Sequence, residues 1–210
     1  NDYYAADVRF LGGAKSGYTL MHHGEPVCEI RLSIPGKHNI LNSMACAVVC
    51  LYLGMNPQEM AEHIDKFPGA GRRFEILGEV NGVTIADDYA HHPTEIAATL
   101  KAAKEMDFHE VWAVFQPFTY SRTALLMDDF VTALSVADHV VMSEIMGSRE
   151  KNTYNVYTKD LADKIPGSVW FNTFQEMADY TMSHAKPGDL VITLGCGDVY
   201  KCAYIMAGID

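Results

Sequence analysis

Basic residues are scarce in this chain. Sixteen lysines and arginines stand against 27 aspartates and glutamates across 210 residues, a formal charge of −11. That balance argues against broad binding to nucleic acid or to an anionic membrane surface, because like charges repel. Any phosphate ligand must therefore be held by locally placed arginines and backbone amides. No apolar stretch approaches the roughly 20 residues of a membrane-spanning helix, and no targeting segment is visible. Cysteine is sparse as well: Cys28, Cys46, Cys50, Cys196 and Cys202 make an odd set with no Cys-x-x-Cys. The expectation is reduced, packed thiols in a cytoplasmic protein, not a disulfide framework or a metal centre. A phosphate loop is missing too. Gly13-Ala14-Lys15-Ser16 has alanine before the lysine and Arg9 at the first glycine position, and it falls in a hairpin, not between a strand and a helix. The chain opens on Asn1-Asp2, so a fragment without its amino-terminal part is expected.

What is present is a core. Apolar residues make up 49% of the chain. From about residue 5 to 34 the pattern is one of antiparallel strands. Cys28, Ile30, Leu32 and Ile34 alternate with Glu29, Arg31 and Ser33, with turns at Gly12-Gly13 and His23-Gly24. A helix begins near Asn39, burying Ile40, Met44, Val48 and Leu51, and stops at Gly54. Asn56-Pro57 opens another, with Met60, Ile64 and Phe67 on one side. Pro68-Gly69-Ala70-Gly71 is a linker candidate, dividing residues 1–70 from 71–210. Beyond it strands and helices alternate. Strands are predicted at 76–80, 83–86, 111–115, 139–143, 169–171 and 190–194, and helices at 93–106, 123–137, 158–165, 174–184 and 198–206. The fold class is α/β, a mostly parallel sheet with helices on both faces, preceded by an incomplete unit with antiparallel strands.

Two clusters carry chemistry. Asp87-Asp88-Tyr89-Ala90-His91-His92-Pro93-Thr94-Glu95 lies where a strand ends and a helix begins, the edge at which open α/β sheets bind ligands. Either aspartate alone could cap a turn. Carboxylates and imidazoles crowded at a helix amino terminus are costly unless a ligand offsets them, and adjacent histidines rarely converge on zinc. Gly71-Arg72-Arg73-Phe74-Glu75 precedes it, and paired arginines could be a solvated face or a phosphate fork. Asn39 and Asn42, one turn apart after His38, could read a base edge, or one could cap the helix. Phe115-Gln116-Pro117-Phe118-Thr119-Tyr120-Ser121-Arg122-Thr123 puts Arg122 at a strand-to-helix junction, suited to a carboxylate. Gly195-Cys196-Gly197-Asp198 is too short for a dinucleotide fingerprint and is predicted to be a tight turn.

Taken in order, Gly-x-His-Asn-x-x-Asn, Gly-Arg-Arg-Phe-Glu, Asp-Asp-Tyr-Ala-His-His-Pro-Thr-Glu, Phe-Gln-Pro with Ser-Arg-Thr, and the closing Gly-x-Gly-Asp resemble the Mur ligase family from about Ile34 onward. The resemblance implies the end of a central ATPase domain over residues 1–70 and a carboxyl-terminal Rossmann-like domain over 71–210. It implies ATP with Mg2+, whose ligands lie mostly in the missing amino-terminal part, and UDP-N-acetylmuramate and L-alanine as substrates in peptidoglycan synthesis. A tripeptide-recycling ligase on the same sugar nucleotide, and a non-catalytic nucleotide-binding module, are the alternatives. By similarity His38, Asn39 and Asn42 contact adenine, Asp88 the ribose, and Arg73 the γ-phosphate on closure. His91 and Arg122 line the place where alanine meets an acyl phosphate. Phe118 and Thr119 depart from the family, where many members have His and some have Arg.

Overall fold

The computed structural model describes residues 2–11, 15–34 and 36–209. The Gly12-Gly13 turn and the Gly13-Ala14 part of the false phosphate loop lie outside them. The chain divides into two compact units, Asn1–Ala70 and Gly71–Asp210.

In the first unit, β1 (Tyr3–Phe10), β2 (Ser16–His22) and β3 (Glu25–Leu32) form an antiparallel sheet in that order. The period-2 pattern buries Tyr18 and Leu20 on β2 and Ile30 and Leu32 on β3. Against them pack α1 (Lys37–Tyr52), through Ile40 and Ala47, and α2 (Pro57–Asp65), through Met60. Asn56 caps α2 by accepting from the Gln58 and Glu59 amides, with Pro57 in the first turn. Two expectations need correction. Phe67 is exposed rather than part of the α2 stripe, because the helix ends at Asp65. Cys46 is an exposed thiol and not a packed one, although the five cysteines are all free.

The second unit holds six strands in the order β4 (Glu75–Val80), β5 (Val83–Asp88), β9 (Leu190–Leu194), β6 (Val111–Phe115), β7 (His139–Ser143) and β8 (Val169–Phe171). Only β4 is antiparallel to its neighbour. The central strands β9 and β6 are buried along their whole length, as expected for strands covered on both faces. One face takes α3 (Pro93–Lys104), α5 (Met127–Leu134) and α6 (Thr158–Ala162) over Ile96, Leu100, Phe130, Leu134 and Leu161. The other takes α7 (Phe174–His184) and α8 (Tyr200–Ala207) through Met177, Cys202 and Met206.

The predicted helix over 123–137 is two helices. α4 (Tyr120–Leu125) starts earlier, and Leu126, at φ −114°, breaks the run before α5. Arg122 is therefore inside a short helix, not ahead of a long one.

At the amino edge of the sheet, Asp138 accepts from Lys104 Nζ at 2.7 and 2.8 Å and from the Val111 amide at 2.7 Å. Burial acts to raise its pKa, but the Lys104 ammonium and the Val111 amide outweigh that and hold it below the ordinary value. A depressed carboxyl pKa contributes stability above the ordinary aspartate value of about 3.9 and loses it as pH falls through the folded value. Asp138→Asn is expected to lower the urea midpoint at neutral pH, with the gap closing as the carboxylate range is crossed on acidification. Midpoints that stay equally far apart at acid pH would contradict this.

Candidate active site

The carboxyl ends of β5, β9 and β6 place the second unit's candidate residues. Entry into β4 is made through two left-handed residues, Arg72 at φ 58° and Phe74 at φ 48°. Non-glycine residues held there cost on the order of 1–3 kcal/mol each and persist only when neighbours over-determine them. Here the Arg72 amide donates to Glu75 Oε2 at 2.7 Å, its carbonyl accepts from the Tyr89 amide at 2.7 Å, and the Phe74 amide donates to Asp88 Oδ2 at 2.8 Å.

The two arginines between these constraints differ. Arg72 Nε donates to Asp87 Oδ2 at 2.7 Å and its Nη2 to the Gly195 carbonyl at 2.7 Å. Its guanidinium carbon lies 5.0 Å from the Tyr89 ring centre and 4.8 Å from that of Tyr200. Arg73 is exposed, 5.5 Å from the Tyr89 ring, and makes no hydrogen bond among the described residues. Sequence reasoning singled out Arg73 and passed over Arg72; nothing in two adjacent arginines says which one turns inward.

Asp87 and Asp88 are 1% and 6% exposed. Asp87 is neutralised by Arg72, and its Oδ1 accepts from Thr193 Oγ1 at 2.6 Å. Asp88 accepts from Phe74 and, at 2.7 Å, from the Ala90 amide. Burial raises its pKa, against the pull of both amides and of Arg73. Each Asp88 oxygen keeps a second lone pair for a hydroxyl donor. The helix that follows needs no ligand to be satisfied. His92 caps α3 by accepting from the Thr94 amide, and Glu95 reaches back to the amides of His91 and His92 at 3.2 and 3.3 Å. The expectation that these groups are costly without a ligand is corrected: they form a capping box, here with histidine in the capping position. Glu95 is held ionised at lower pH than usual, since those amides and the charges of His91 and Arg73 outweigh its burial. His91 Nδ1 lies 3.1 Å from the Tyr89 carbonyl and 3.5 Å from Glu95.

Two strands away, α4, the short helix that follows β6, carries Arg122. Its Nη1 is buried and meets no hydrogen-bond acceptor. An unpartnered buried guanidinium nitrogen carries the desolvation penalty of a charged donor, which an anionic ligand would relieve. Cys196, in the turn after β9 that Arg72 bonds, has its thiol pKa raised by burial while the charges of Arg122 and Arg72 pull it down. Sequence reasoning missed Glu150, and the contacts of Gln116 and Phe118 were not foreseen. Glu150 caps α4 by accepting from the Ser121 amide at 2.9 Å and its hydroxyl at 2.6 Å. Buried Gln116 accepts from the Asp198 amide at 2.9 Å, and a Cβ on Gly197 would collide with its Oε1, which explains the glycine. Phe118 forms a parallel bridge with Met146, next to Thr119 at φ 67°.

In the first unit His38, Asn39 and Asn42 lie on the first turns of α1. The cap is Gly36, so the reading of an asparagine cap is corrected; Asn42 Nδ2 donates to Asn39 Oδ1 at 3.3 Å, side by side on the helix.

The family described as Mur ligase, glutamate ligase domain covers residues 72–197. The chain belongs to the Mur ligase family. A UDP-N-acetylmuramate–L-alanine ligase of Agathobacter rectalis is 42% identical over 95% of this chain and 44% of that protein. The Mur ligase chain thus spans less than half the length of such curated relatives. The UDP-N-acetylmuramate-alanine ligase of Thermotoga maritima shares its fold, with a TM-score of 0.83 at 24% identity over 99% of this chain and 45% of that one. A Mycobacterium tuberculosis folylpolyglutamate synthase complexed with ADP and AMPPCP shares it at a TM-score of 0.75 and 18% identity, over 100% of this chain and 49% of that one.

The carboxyl edge of this Mur ligase sheet does not fit Mg2+, which demands an octahedral set of oxygens. Asp87 is committed to Arg72 and Thr193, which leaves Asp88, itself accepting from two amides, as a lone carboxylate outside any convergent set of three ligating side chains among the described residues. Among the described residues the side chains that could converge on a cation are His109, Glu110 and Asp189, at the opposite edge. There His109 and Asp189 already pair at 3.0 Å, and Trp112 Nε1 donates to Asp189.

Thr193→Val keeps the shape but strips Asp87 of a buried donor. It is expected to cost about 1–3 kcal/mol in urea unfolding; a change too small to measure would show that Arg72 alone satisfies Asp87.

Proposed function

We propose that this chain is the carboxyl-terminal part of a cytoplasmic, ATP-dependent ligase that joins L-alanine to the muramoyl carboxylate of UDP-N-acetylmuramate, an early step of peptidoglycan synthesis. The observation that carries the reading is a pair of guanidiniums near the carboxyl edge of one sheet in an acidic chain, neither in a salt bridge among the described residues: exposed Arg73 and Arg122 with its buried, unpartnered Nη1. The names of relatives that are about 40% identical supply the substrates.

A carboxylate is a poor electrophile. Phosphoryl transfer from ATP converts it to an acyl phosphate, the alanine amine attacks, and phosphate leaves from a tetrahedral intermediate. Catalysis of such a sequence rests on positioning and charge stabilisation. In this reading Arg73 meets the γ-phosphate, and Asp88 accepts from the ribose hydroxyls through its remaining lone pairs. His38, Asn39 and Asn42 contact adenine. Arg122 receives the carboxylate of alanine bidentately, beside the acyl phosphate, with His91 lining the same place. Phe118 cannot donate a hydrogen bond, so the amino-acid carboxylate depends on Arg122 and backbone amides. Mg2+ is assigned to residues outside this chain.

The test is ADP release by the full-length protein given ATP, UDP-N-acetylmuramate and L-alanine. Alanine-dependent ADP is expected, with Arg73→Ala lowering kcat by about a hundredfold, the scale for removing one group that stabilises developing charge. The 210 residues alone are expected to release none. Turnover with a tripeptide but not alanine would assign the recycling reaction. No ADP with either substrate, or an unchanged Arg73→Ala enzyme, would overturn the proposal.

A further inference from the structure

Every nitrogen of the Arg72 guanidinium has a partner, and the partners belong to different segments. Nε holds Asp87 at the end of β5, and Nη2 and Nη1 hold the Gly195 and Gly197 carbonyls, at 2.7 and 3.4 Å, in the turn after β9. The rings of Tyr89, beyond β5, and Tyr200, at the start of α8, lie against it. The residue's own amide and carbonyl are also engaged, by Glu75 and Tyr89, in a left-handed conformation that arginine adopts only under constraint. With its charge met by buried Asp87, this side chain is poorly placed to bind phosphate. It is well placed to set the spacing between the β5 loop, which carries Asp88 and His91, and the turn beside Arg122.

We infer that Arg72 is a positioning residue of the ligase: its planar fork locks the Asp87–Tyr89 segment to the Gly195–Gly197 turn, and this holds Arg73 outward for the nucleotide. The inference rests on the proposed function for its catalytic consequence, but not for the clamp itself. Lysine cannot replace the fork, because one ammonium cannot reach a carboxylate and two carbonyls in fixed planar directions.

The test compares Arg72→Met, Arg72→Lys and Arg73→Met in the full-length protein by amide hydrogen exchange and steady-state kinetics. Arg72→Lys keeps a cation against Asp87, so a folded variant is available if Arg72→Met does not fold. In the Arg72 variants, exchange is expected to rise at least about fivefold in 88–92 and 195–198 together, with 111–115 unchanged, the signature of local opening. Their kcat is expected to fall about 20-fold or more, in keeping with misplacement of groups that must be pre-aligned. KM for the sugar nucleotide should stay within about twofold, since uniform substrate binding is not lost. Arg73→Met is expected to lose kcat with exchange unaltered in both segments. Unchanged exchange in the Arg72 variants, or full kcat in Arg72→Lys, would overturn the inference. If the wild-type enzyme forms no ADP, the functional reading fails, and the exchange arm still decides whether the clamp exists.

Discussion

Asp87 is a carboxylate almost wholly removed from water, and Arg72 is what makes that tolerable. A buried charge that loses its partner costs roughly 3–5 kcal/mol, so the pair is bound to persist once the sheet has formed. Its geometry then dictates much else. The guanidinium plane that reaches Asp87 also meets two carbonyls of the turn after β9 and two tyrosine rings. The strand order β5-β9-β6 makes this possible, because it sets the end of β9 between the two clusters.

A division of labour between neighbouring residues follows. Arg72 and Asp87 are consumed by structure, whereas Arg73 and Asp88 are set off from them by one residue and face a different environment. Arg73 stays exposed between two left-handed residues. Asp88 is buried but hydrogen-bonded only to amides, so its carboxylate is fixed in direction. Such preorganisation suits a reaction in which the protein contributes alignment and charge more than covalent chemistry.

Much of the architecture was legible in the sequence. The strands 111–115, 139–143, 169–171 and 190–194 have the expected bounds, because short apolar runs between turn signals leave little freedom. The helix over 123–137 was not legible as two, since Leu126 fits the apolar stripe whether or not the backbone bends there. At the site, periodicity and motif marked the right segments without resolving adjacent residues. Which of Arg72 and Arg73 turns inward depends on Asp87, Gly195 and Tyr200, far along the chain. The role of Glu150 was equally hidden, as it caps α4 from a loop 29 residues away. His92 and Glu95 teach the reverse lesson: polar residues that look poised for a ligand can be a helix cap.

In the proposed function the inward arginine builds the site and the outward one uses it. A structure of the full-length protein with a non-hydrolysable ATP analogue tests this most directly. The Arg73 guanidinium is expected at the terminal phosphate while Arg72 keeps its bonds to Asp87 and the Gly195 carbonyl. Arg72 released from Asp87 and bound to phosphate, with Arg73 left in solvent, would contradict it.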